Sequence, residues 1–345
     1  MLVMNSLILI YIIVSFFILF FFSKLSYALN LIDIPNNRKI HKKPTAYTGG
    51  IALSIILVSS IILFDSFNKN LSLILSIGFL ISIVGLIDDK YNLNIGGKLS
   101  LQIIPIFYLI IFENFSLTNI GNYDLFEMDL GTFSIPFTFL SVLFLINAFN
   151  YFDGVDGTLS FTSISVLGIL YFLSVEQHLH FLISEQNSQF FLIAIIVPIL
   201  IFLIFNFSFL NLPKMFLGDS GSLLLGYIVS FILIFFANQK LIEPILLAWS
   251  VSIFVYEFLS INIIRLINKQ KLFKAGQDHL HHLILRKYNS IFLTNFIITS
   301  LNIIFFIIGY SSSILYNQFL SLILFVIMFI IYFIIRNKYS KKYKF

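Results

Sequence analysis

Long apolar runs separated by short polar stretches dominate the 345-residue chain. We place about eleven such runs, most of them close to the ~20 residues with which an α-helix crosses a bilayer. They lie at about 3–22, 49–64, 71–87, 99–112, 135–150, 159–175, 189–206, 221–238, 244–263, 293–309 and 317–335. The pattern predicts an all-α polytopic membrane protein with about 11 transmembrane helices, forming a single integral membrane domain over residues 1–345.

The basic residues follow the predicted spans. All but Lys69 and Lys240 of the 21 Lys and Arg residues fall in connections after odd-numbered spans or in the C-terminal tail. The positive-inside rule places these segments in the cytoplasm, which puts the N-terminus outside and the C-terminus inside. The same assignment brings every unusual polar cluster to the cytoplasmic face, where we expect the active site.

Composition excludes several classes of protein. A hydrophobic fraction of 59% and a mean hydropathy of +0.99 exclude a soluble globular domain. The net charge of +5 would suit nucleic acid, but its distribution matches membrane topology instead, so no nucleic-acid partner is expected. The chain contains no cysteine, which excludes a disulfide framework, a thiolate metal site and a cysteine nucleophile.

Carboxylates stand at the ends of apolar runs, where they need a compensating partner. The adjacent Asp88 and Asp89 repel each other unless they share a cation or a proton. Lys98, at the start of the next run, is a point charge suited to a phosphate. Asp219 opens another run, where it serves either as a helix N-cap or as a metal ligand beside backbone amides.

Polar residues recur every three positions from Asn147 through Asn150 and Asp153 to Asp156, with Gly154 and Gly157 between and after them. Amide and carboxylate oxygens are the hard ligands that Mg²⁺ selects. A structural turn does not need this many acids and amides at the edge of hydrocarbon, so the segment is interpreted as part of a site.

Two further clusters are basic or histidine-rich. Residues 33–44 form either a lipid-binding patch or a phosphate-binding loop. His279, His281 and His282 lie in a basic stretch. If this stretch is helical, His281 points away from the other two, and the flanking cations disfavour a soft-metal site. We interpret the three histidines as hydrogen-bond donors to a diphosphate.

Taken together, the clusters resemble the polyprenyl-phosphate N-acetylhexosamine-1-phosphate transferase family, which is bacterial glycosyltransferase family 4. The resemblance is closest to the branch that initiates O-antigen, enterobacterial antigen and teichoic acid, which is related to the peptidoglycan lipid I synthase. The matching segments occur in the family's order: Asp33 to His41, Gly49-Gly50, Asp88-Asp89 with Lys98, Asn147 to Gly157, Phe216 to Ser222 and His279 to His282.

The resemblance implies the reaction. It predicts a Mg²⁺-dependent phospho-N-acetylhexosamine transferase of the bacterial inner membrane, with Mn²⁺ as a substitute ion. A HexNAc-1-phosphate would pass from a UDP-N-acetylhexosamine to undecaprenyl phosphate, a membrane lipid, giving undecaprenyl-diphospho-HexNAc and UMP. This step would initiate a cell-envelope glycan such as lipopolysaccharide O-antigen. Whether the protein forms a homodimer is left open.

The resemblance also implies residue roles. Asn150 and Asp219 would bind Mg²⁺, and Asp88 or Asp89 would position or deprotonate the lipid phosphate; direct attack is favoured over a covalent intermediate. The implied catalytic set is Asp88, Asp89, Lys98, Asp153, Asp156, His279, His281 and His282, and the nucleotide-sugar set is Asn147, Asn150, Asp156 and Lys98.

The chain departs from the family pattern at two positions. Many relatives carry an acid three residues before the first histidine, where this chain has Gly276 and places an acid at Asp278 instead. Near the end of the ninth run, where many members have Asp, this chain has Glu257. Both positions bear on which sugar is used.

The alternative class is a secondary transporter for an anionic solute. Such proteins place ionisable residues and broken helices near the bilayer midplane, commonly within inverted repeats. Here the acids lie at span ends on one face, and no inverted repeat is visible. Glu257, Pro105 and Pro198 are the candidates for buried irregularity.

Overall fold

The computed structural model describes residues 2–35, 43–64, 67–178, 186–270, 276 and 278–342. It consists of α-helices with two short two-stranded sheets, and it divides into two compact units. The first unit comprises Met1–Ile106 and Leu182–Val229, and the second Phe107–Phe181 and Ser230–Phe345. One predicted polar cluster, residues 33–44, is described only in part. Residues 36–42, which include Arg38 and His41, lie outside the described residues.

The first unit contains six helices or parts of them: α1 (Leu2–Ala28), α2 (Gly49–Leu63), α3 (Lys69–Tyr91), α4 (Ile95–Phe107), α7 (Gln186–Asn206) and the start of α8 (Gly218–Asn238). A small antiparallel sheet of β1 (Ile32–Asp33) and β2 (Thr45–Ala46) lies between α1 and α2. Ala46 also forms a parallel bridge with Met215, which anchors the approach to α8.

The second unit contains α5 (Ser134–Phe152), α6 (Thr158–His178), the end of α8, α9 (Pro244–Ser250), α10 (Ser252–Ile267), α11 (Leu280–Tyr288), α12 (Ile291–Leu315) and α13 (Gln318–Lys342). Its hairpin pairs β3 (Asn119–Asn122) with β4 (Glu127–Asp129). This hairpin falls between the predicted spans 99–112 and 135–150.

Within the described residues, nine helices are long and apolar enough to cross a membrane. The protein is therefore an all-α polytopic membrane protein, as predicted. The two remaining predicted spans correspond to α2, which is a shorter apolar helix of 15 residues, and to the pair α9 and α10, which bends by 70°. The count of eleven and the orientation stay predictions.

The bend between α9 and α10 lies at Val251. Backbone groups freed by such a bend need partners, because water is absent from the bilayer core. Asn302 of α12 supplies them: its Nδ2 donates to the Ser250 carbonyl at 3.0 Å, and its Oδ1 accepts from the Ile253 amide at 3.4 Å. The fully buried Asn302 thus fixes the direction in which α10 leaves the bend.

Candidate active site

In the first unit, Lys98 lies between two carboxylates. Its Nζ is 2.7 Å from Asp88 Oδ2 and also donates to Asp219 Oδ2. Asp88 belongs to the last turns of α3, Lys98 to the first turn of α4 and Asp219 to the first turn of α8. Three segments far apart in sequence therefore meet at one ammonium group.

Asp88 and Asp89 have different surroundings although they are neighbours. Asp88 is 9% exposed, and its Oδ1 accepts the Leu93 amide at 2.9 Å in the turn after α3. Asp89 instead accepts the backbone amides of Asp219 at 3.0 Å and Ser220 at 3.3 Å. Asp89 therefore caps the N-terminus of α8, a position that favours negative charge.

This arrangement corrects the expectation for the start of α8. The sequence suggested that Asp219 is either the cap or a metal ligand beside amides that donate to a phosphate. Asp219 lies inside the first turn, and Asp89 accepts hydrogen bonds from the Asp219 and Ser220 amides. Gly218 makes this approach possible, since its φ is +71° and a Cβ there would lie 2.6 Å from Asp89 Oδ2.

In the second unit, the end of α5 contacts the histidine segment. The Tyr151 ring lies 4.7 Å from the His279 ring in an edge-on contact, and the Phe152 ring lies 6.3 Å from His281. A Cβ on Gly154 would lie 2.2 Å from His281 Nε2. The glycine is needed here because any side chain would collide with the imidazole.

The three imidazole rings form one cluster. Ring centroids are 5.7 Å apart for His279 and His281, 6.4 Å for His279 and His282, and 4.2 Å for His281 and His282. His281 was expected to point away only if all three histidines were helical. That condition is not met, because α11 begins only at Leu280 and His279 precedes the helix in an extended conformation.

Burial keeps these imidazoles neutral. It lowers the pKa of His279 and that of His282 to about 4, and it lowers the pKa of His281 well below its ordinary value. His279 Nδ1 and His281 Nε2 are buried and make no hydrogen bond within the described part of the chain. Buried polar atoms normally have partners, so these two nitrogens are available to a ligand.

Arg265, at the end of α10, connects the two segments of this unit. Its side chain is 3% exposed and binds Asp278 through two hydrogen bonds, Nη2 to Oδ1 at 2.8 Å and Nε to Oδ2 at 3.1 Å. It also contacts the Tyr151 hydroxyl at 3.5 Å. Burial would raise the pKa of Asp278, but the hydrogen bonds and charge of Arg265 outweigh it and hold that pKa below its usual value.

The other predicted residues of the second unit lie at the end of α5 and just after it. Asn147 donates to the Leu143 carbonyl at 2.7 Å within the helix. Asn150 is half-buried in the last turn, and Asp153 ends the helix. The backbone carbonyl of Asp156 accepts from Asn295 Nδ2 of α12 at 2.8 Å, which fixes the turn before α6.

Mg²⁺ was predicted at Asp219 and Asn150, which belong to the first and second units respectively. Among the described residues, no three His, Asp or Glu side chains are grouped as metal ligands. The donors around Lys98 nevertheless suit Mg²⁺, because Asp88 and Asp219 already direct carboxylate oxygens at one cation and the carboxylates outnumber the ammonium.

Comparison with known proteins shows which family the chain is similar to. The sequence model of glycosyl transferase family 4 matches residues 71–237, which include Asp88, Asp89, Lys98, Asn147 to Gly157 and Asp219. The match of this family model supports a relationship to glycosyl transferase family 4.

Individual relatives agree with this assignment. The chain is 28% identical over 275 residues to the undecaprenyl-phosphate alpha-N-acetylglucosaminyl 1-phosphate transferase of Escherichia coli (strain K12), covering 78% of this chain and 72% of the relative. A protein of the same name from Yersinia pestis is 28% identical, with 78% and 73% covered. A probable undecaprenyl-phosphate N-acetylglucosaminyl 1-phosphate transferase from Bacillus subtilis (strain 168) is 27% identical, with 75% and 71% covered.

Sequence reasoning missed two residues that organise the histidine cluster. Arg265 was counted only among the surrounding cations, and Arg336 only among the basic residues of the tail. The sequence carried one signal for both residues, which is their position at the end of an apolar run. An arginine buried there has to pair with an acid or with backbone carbonyls. Both acids concerned, Asp278 and Glu257, had been noted only as departures from the family pattern.

Proposed function

We propose that the protein transfers HexNAc-1-phosphate from a UDP-N-acetylhexosamine to undecaprenyl phosphate, giving undecaprenyl-diphospho-HexNAc and UMP. The observation that carries the proposal is the position of Lys98 between Asp88 and Asp219, inside the segment that matches the family. The relatives' names point to undecaprenyl phosphate as acceptor and to N-acetylglucosamine as the first sugar to test.

The reaction is a phosphoryl transfer. A phosphate oxygen of the lipid attacks the β-phosphorus of the nucleotide sugar, and a new P–O bond forms. The bond between that phosphorus and the bridging oxygen breaks, and UMP leaves with the bridging oxygen. Because the lipid phosphate is already anionic, catalysis consists mainly of positioning and of charge stabilisation.

The first unit supplies charge for this step. Lys98 can release one of its carboxylates and donate to a diphosphate oxygen, which neutralises charge as UMP leaves. Asp88 is the better candidate than Asp89 for orienting the lipid phosphate, because Asp89 is committed to the amides of α8. Mg²⁺, when bound, would supply further charge stabilisation on phosphate oxygens. We assign it to Asp219, while Asn150 stays a prediction of the sequence.

The second unit supplies hydrogen-bond donors. The neutral histidines each carry one N–H, and the unpartnered nitrogens of His279 and His281 suit the oxygens of a phosphate group. Asp156 is proposed to contact the nucleoside, and Asp153 to support the site. We place the reaction at the cytoplasmic face of the bacterial inner membrane, since UDP-sugars are cytoplasmic and the basic connections are predicted to lie there.

The test is release of UMP by the purified protein in detergent or vesicles, with undecaprenyl phosphate and UDP-GlcNAc supplied together. UMP and the lipid-linked sugar should appear in equal amounts, stop with EDTA and return with Mg²⁺ or Mn²⁺. UDP-GalNAc in parallel identifies the sugar. Asp88→Ala and Asp219→Ala should abolish release while the protein still inserts. Full turnover in both variants would contradict the proposed site.

A second candidate, a transporter of an anionic solute, draws support from the 70° bend between α9 and α10, since transporters commonly use discontinuous helices. Asn302 closes this bend by hydrogen bonds to backbone groups, and the three residues at the bend, Ser250 to Ser252, carry no charge. Uptake of labelled UDP-GlcNAc into vesicles without formation of lipid product would favour the transporter.

A further inference from the structure

A buried network of charged and polar groups joins α10 to the C-terminal helix α13. Glu257 is 1% exposed and Arg336 2% exposed. Arg336 Nε donates to Glu257 Oε2 at 2.9 Å and its Nη2 to Oε1 at 3.0 Å, while the Tyr332 hydroxyl donates to Oε2 at 2.7 Å. Removing both charges from water is costly, and only a well-hydrogen-bonded geometry compensates it.

The same two side chains reach the backbone on both sides of His279. Glu257 Oε1 accepts the Leu280 amide at 2.8 Å, and Arg336 Nη2 donates to the Asp278 carbonyl. Leu280 is the first residue of α11, so its amide has no partner within that helix. His279 provides no side-chain cap, which leaves Glu257 to serve as one.

We propose that Glu257, Arg336 and Tyr332 form a clamp that positions His279 to His282 for the substrate phosphates, which makes α13 a working part of the site. The catalytic role of the clamp rests on the proposed function, but its existence does not. Its residues lie outside the segment matched by the family model, at 71–237.

Two observations favour positioning over stability alone. First, the bonds go to backbone groups of the histidine segment, so they set where the imidazoles stand. Second, Arg336 Nη1 is buried and makes no hydrogen bond within the described residues, as is also true of His279 Nδ1 and His281 Nε2. A network that served only stability would leave fewer buried nitrogen atoms without a hydrogen-bond partner.

The test compares Arg336→Lys, Arg336→Met and the matched control Lys338→Met, which lies on the same helix and is exposed. Lysine keeps the charge beside Glu257 but cannot bind the carboxylate through two nitrogens and the Asp278 carbonyl at the same time. Hydrogen–deuterium exchange of a peptide covering 278–285, measured on full-length protein in nanodiscs, reports the clamp without any substrate.

We expect exchange of this peptide to be faster than wild type by at least about tenfold in Arg336→Lys, and more in Arg336→Met. Thermal unfolding of Arg336→Lys should stay near wild type. Its kcat for UMP release should fall about tenfold or more with a smaller change in KM for the nucleotide sugar, because the phosphates are misplaced rather than unbound. Lys338→Met should match wild type in every measurement.

Wild-type exchange at 278–285 in Arg336→Lys and Arg336→Met would overturn the clamp. Faster exchange with unchanged kcat and KM would overturn its positioning role and reduce it to a stabilising network. If the wild-type protein releases no UMP, the proposed function fails instead, and the exchange measurement still decides whether the clamp holds the histidine segment.

Discussion

At the scale of single residues, Lys98 shows how a site can hold charge before its substrate arrives. The ammonium is balanced by Asp88 and Asp219 rather than by solvent, and its side chain is only 16% exposed. An incoming phosphate would exchange one carboxylate partner for another anion, so the lysine needs little rearrangement. In the proposed reaction the same cluster would also hold Mg²⁺, since its carboxylates outnumber its ammonium.

Lys98→Gln should reduce kcat for UMP release by about 10²–10³-fold, the size of effect seen when one positioned donor to a developing negative charge is removed from an active site. Lys98→Arg should recover part of this loss because it keeps the charge. Lys90→Gln, which changes an exposed lysine in the last turn of α3, is the control and should retain activity. Wild-type kcat in Lys98→Gln would remove Lys98 from the mechanism.

Asp278 explains why this chain can have glycine at position 276. A Cβ on Gly276 would lie 2.2 Å from Asp278 Oδ1 and 3.0 Å from Arg265 Nη2. The Asp278 carboxylate thus occupies the space that a side chain at 276 would enter, and it binds the arginine that such an acid would reach.

This geometry predicts that an acid can be moved between the two positions. Asp278→Gly alone should lower kcat about tenfold, equivalent to about 1.4 kcal/mol, because buried Arg265 loses its partner. Gly276→Asp combined with Asp278→Gly should restore most of the activity, whereas Gly276→Asp alone should be harmful through crowding and repulsion. A double variant no more active than Asp278→Gly would show that the two positions are not equivalent. Initial rates at saturating UDP-GlcNAc measure all three.

The sequence predicted which residues belong to the candidate site, but it did not predict which partner each of them binds. The pair Asp88-Asp89 was found because adjacent acids at the end of an apolar run are costly. Neighbouring residues on a helix point about 100° apart, so the two carboxylates face different partners. That Asp88 faces Lys98 and Asp89 faces the start of α8 follows from how α3, α4 and α8 pack. The histidine cluster likewise depended on where α11 begins, and helix ends are the least predictable feature of a sequence.

At the scale of elements, the apolar runs predicted nearly every long helix but not the bend at Val251. Nothing in the run 244–263 marks a break, since it contains no internal proline or glycine. The cause lies on another helix, where Asn302 binds the Ser250 carbonyl, the Ile253 amide and Ser165 Oγ. Partners distant in sequence decide such bends, and a local pattern carries no sign of them.

Asn302→Leu should therefore destabilise the second unit more than a typical polar substitution within a span. Hydrogen bonds between membrane helices contribute about 0.6 kcal/mol each on average, and three bonds are lost, so we expect a loss of about 2 kcal/mol in the free energy of unfolding. Asn262→Leu, which removes one bond within α10, should cost far less. Unfolding curves in mild detergent compare the two. Equal stabilities would mean that Asn302 does not hold the bend.

The histidine segment before and within α11 predicts a pH dependence with a definite sign. Burial lowers the pKa of His279 and His282 to about 4, while an opened segment would titrate at its ordinary value near 6.5. Between these values the open form binds more protons, so the closed form loses stability as pH falls. Glu257, Asp278, Arg265 and Arg286 face the histidines, and the lowered pKa of Asp278 keeps that carboxyl ionised over this range.

Protection of a peptide covering 278–285 against deuterium exchange, corrected for intrinsic rates, should therefore fall from pH 7 to pH 5, by at most about 1.4 kcal/mol per pH unit for each histidine. His282→Asn should make the dependence shallower. Peptides from α12 provide the internal control, and they should show no such loss. Protection that rises as the pH is lowered would mean that the imidazoles are charged in the folded protein.

At the scale of the whole molecule, the predicted motifs separate cleanly between the two units. Asp88, Asp89, Lys98 and Asp219 belong to the first, and the segments Asn147–Gly157 and Asp278–His282 to the second. Contacts inside each unit bring together motifs that are more than 100 residues apart in sequence, such as Lys98 with Asp219. The polar clusters and their order along the chain predicted the type of reaction. Which clusters share a unit could be seen only in the folded structure.

The distribution of charge also predicts the orientation of the chain in the membrane. This orientation is easy to test because the chain contains no cysteine. Single cysteines at Lys24, Lys69, Lys90 and Lys240, all exposed, can each be labelled without background. If α2 spans, an impermeant maleimide added to intact cells should label positions 69 and 240 but label 24 and 90 only after permeabilisation. Position 69 is decisive. The helix α2 has 15 residues, fewer than the ~17–25 that usually cross the hydrocarbon core, and protection of 69 in intact cells would mean that α2 does not cross. Labelling of position 90 from outside would place Asp88 and Lys98 away from cytoplasmic UDP-sugars and would contradict both the orientation and the proposed reaction.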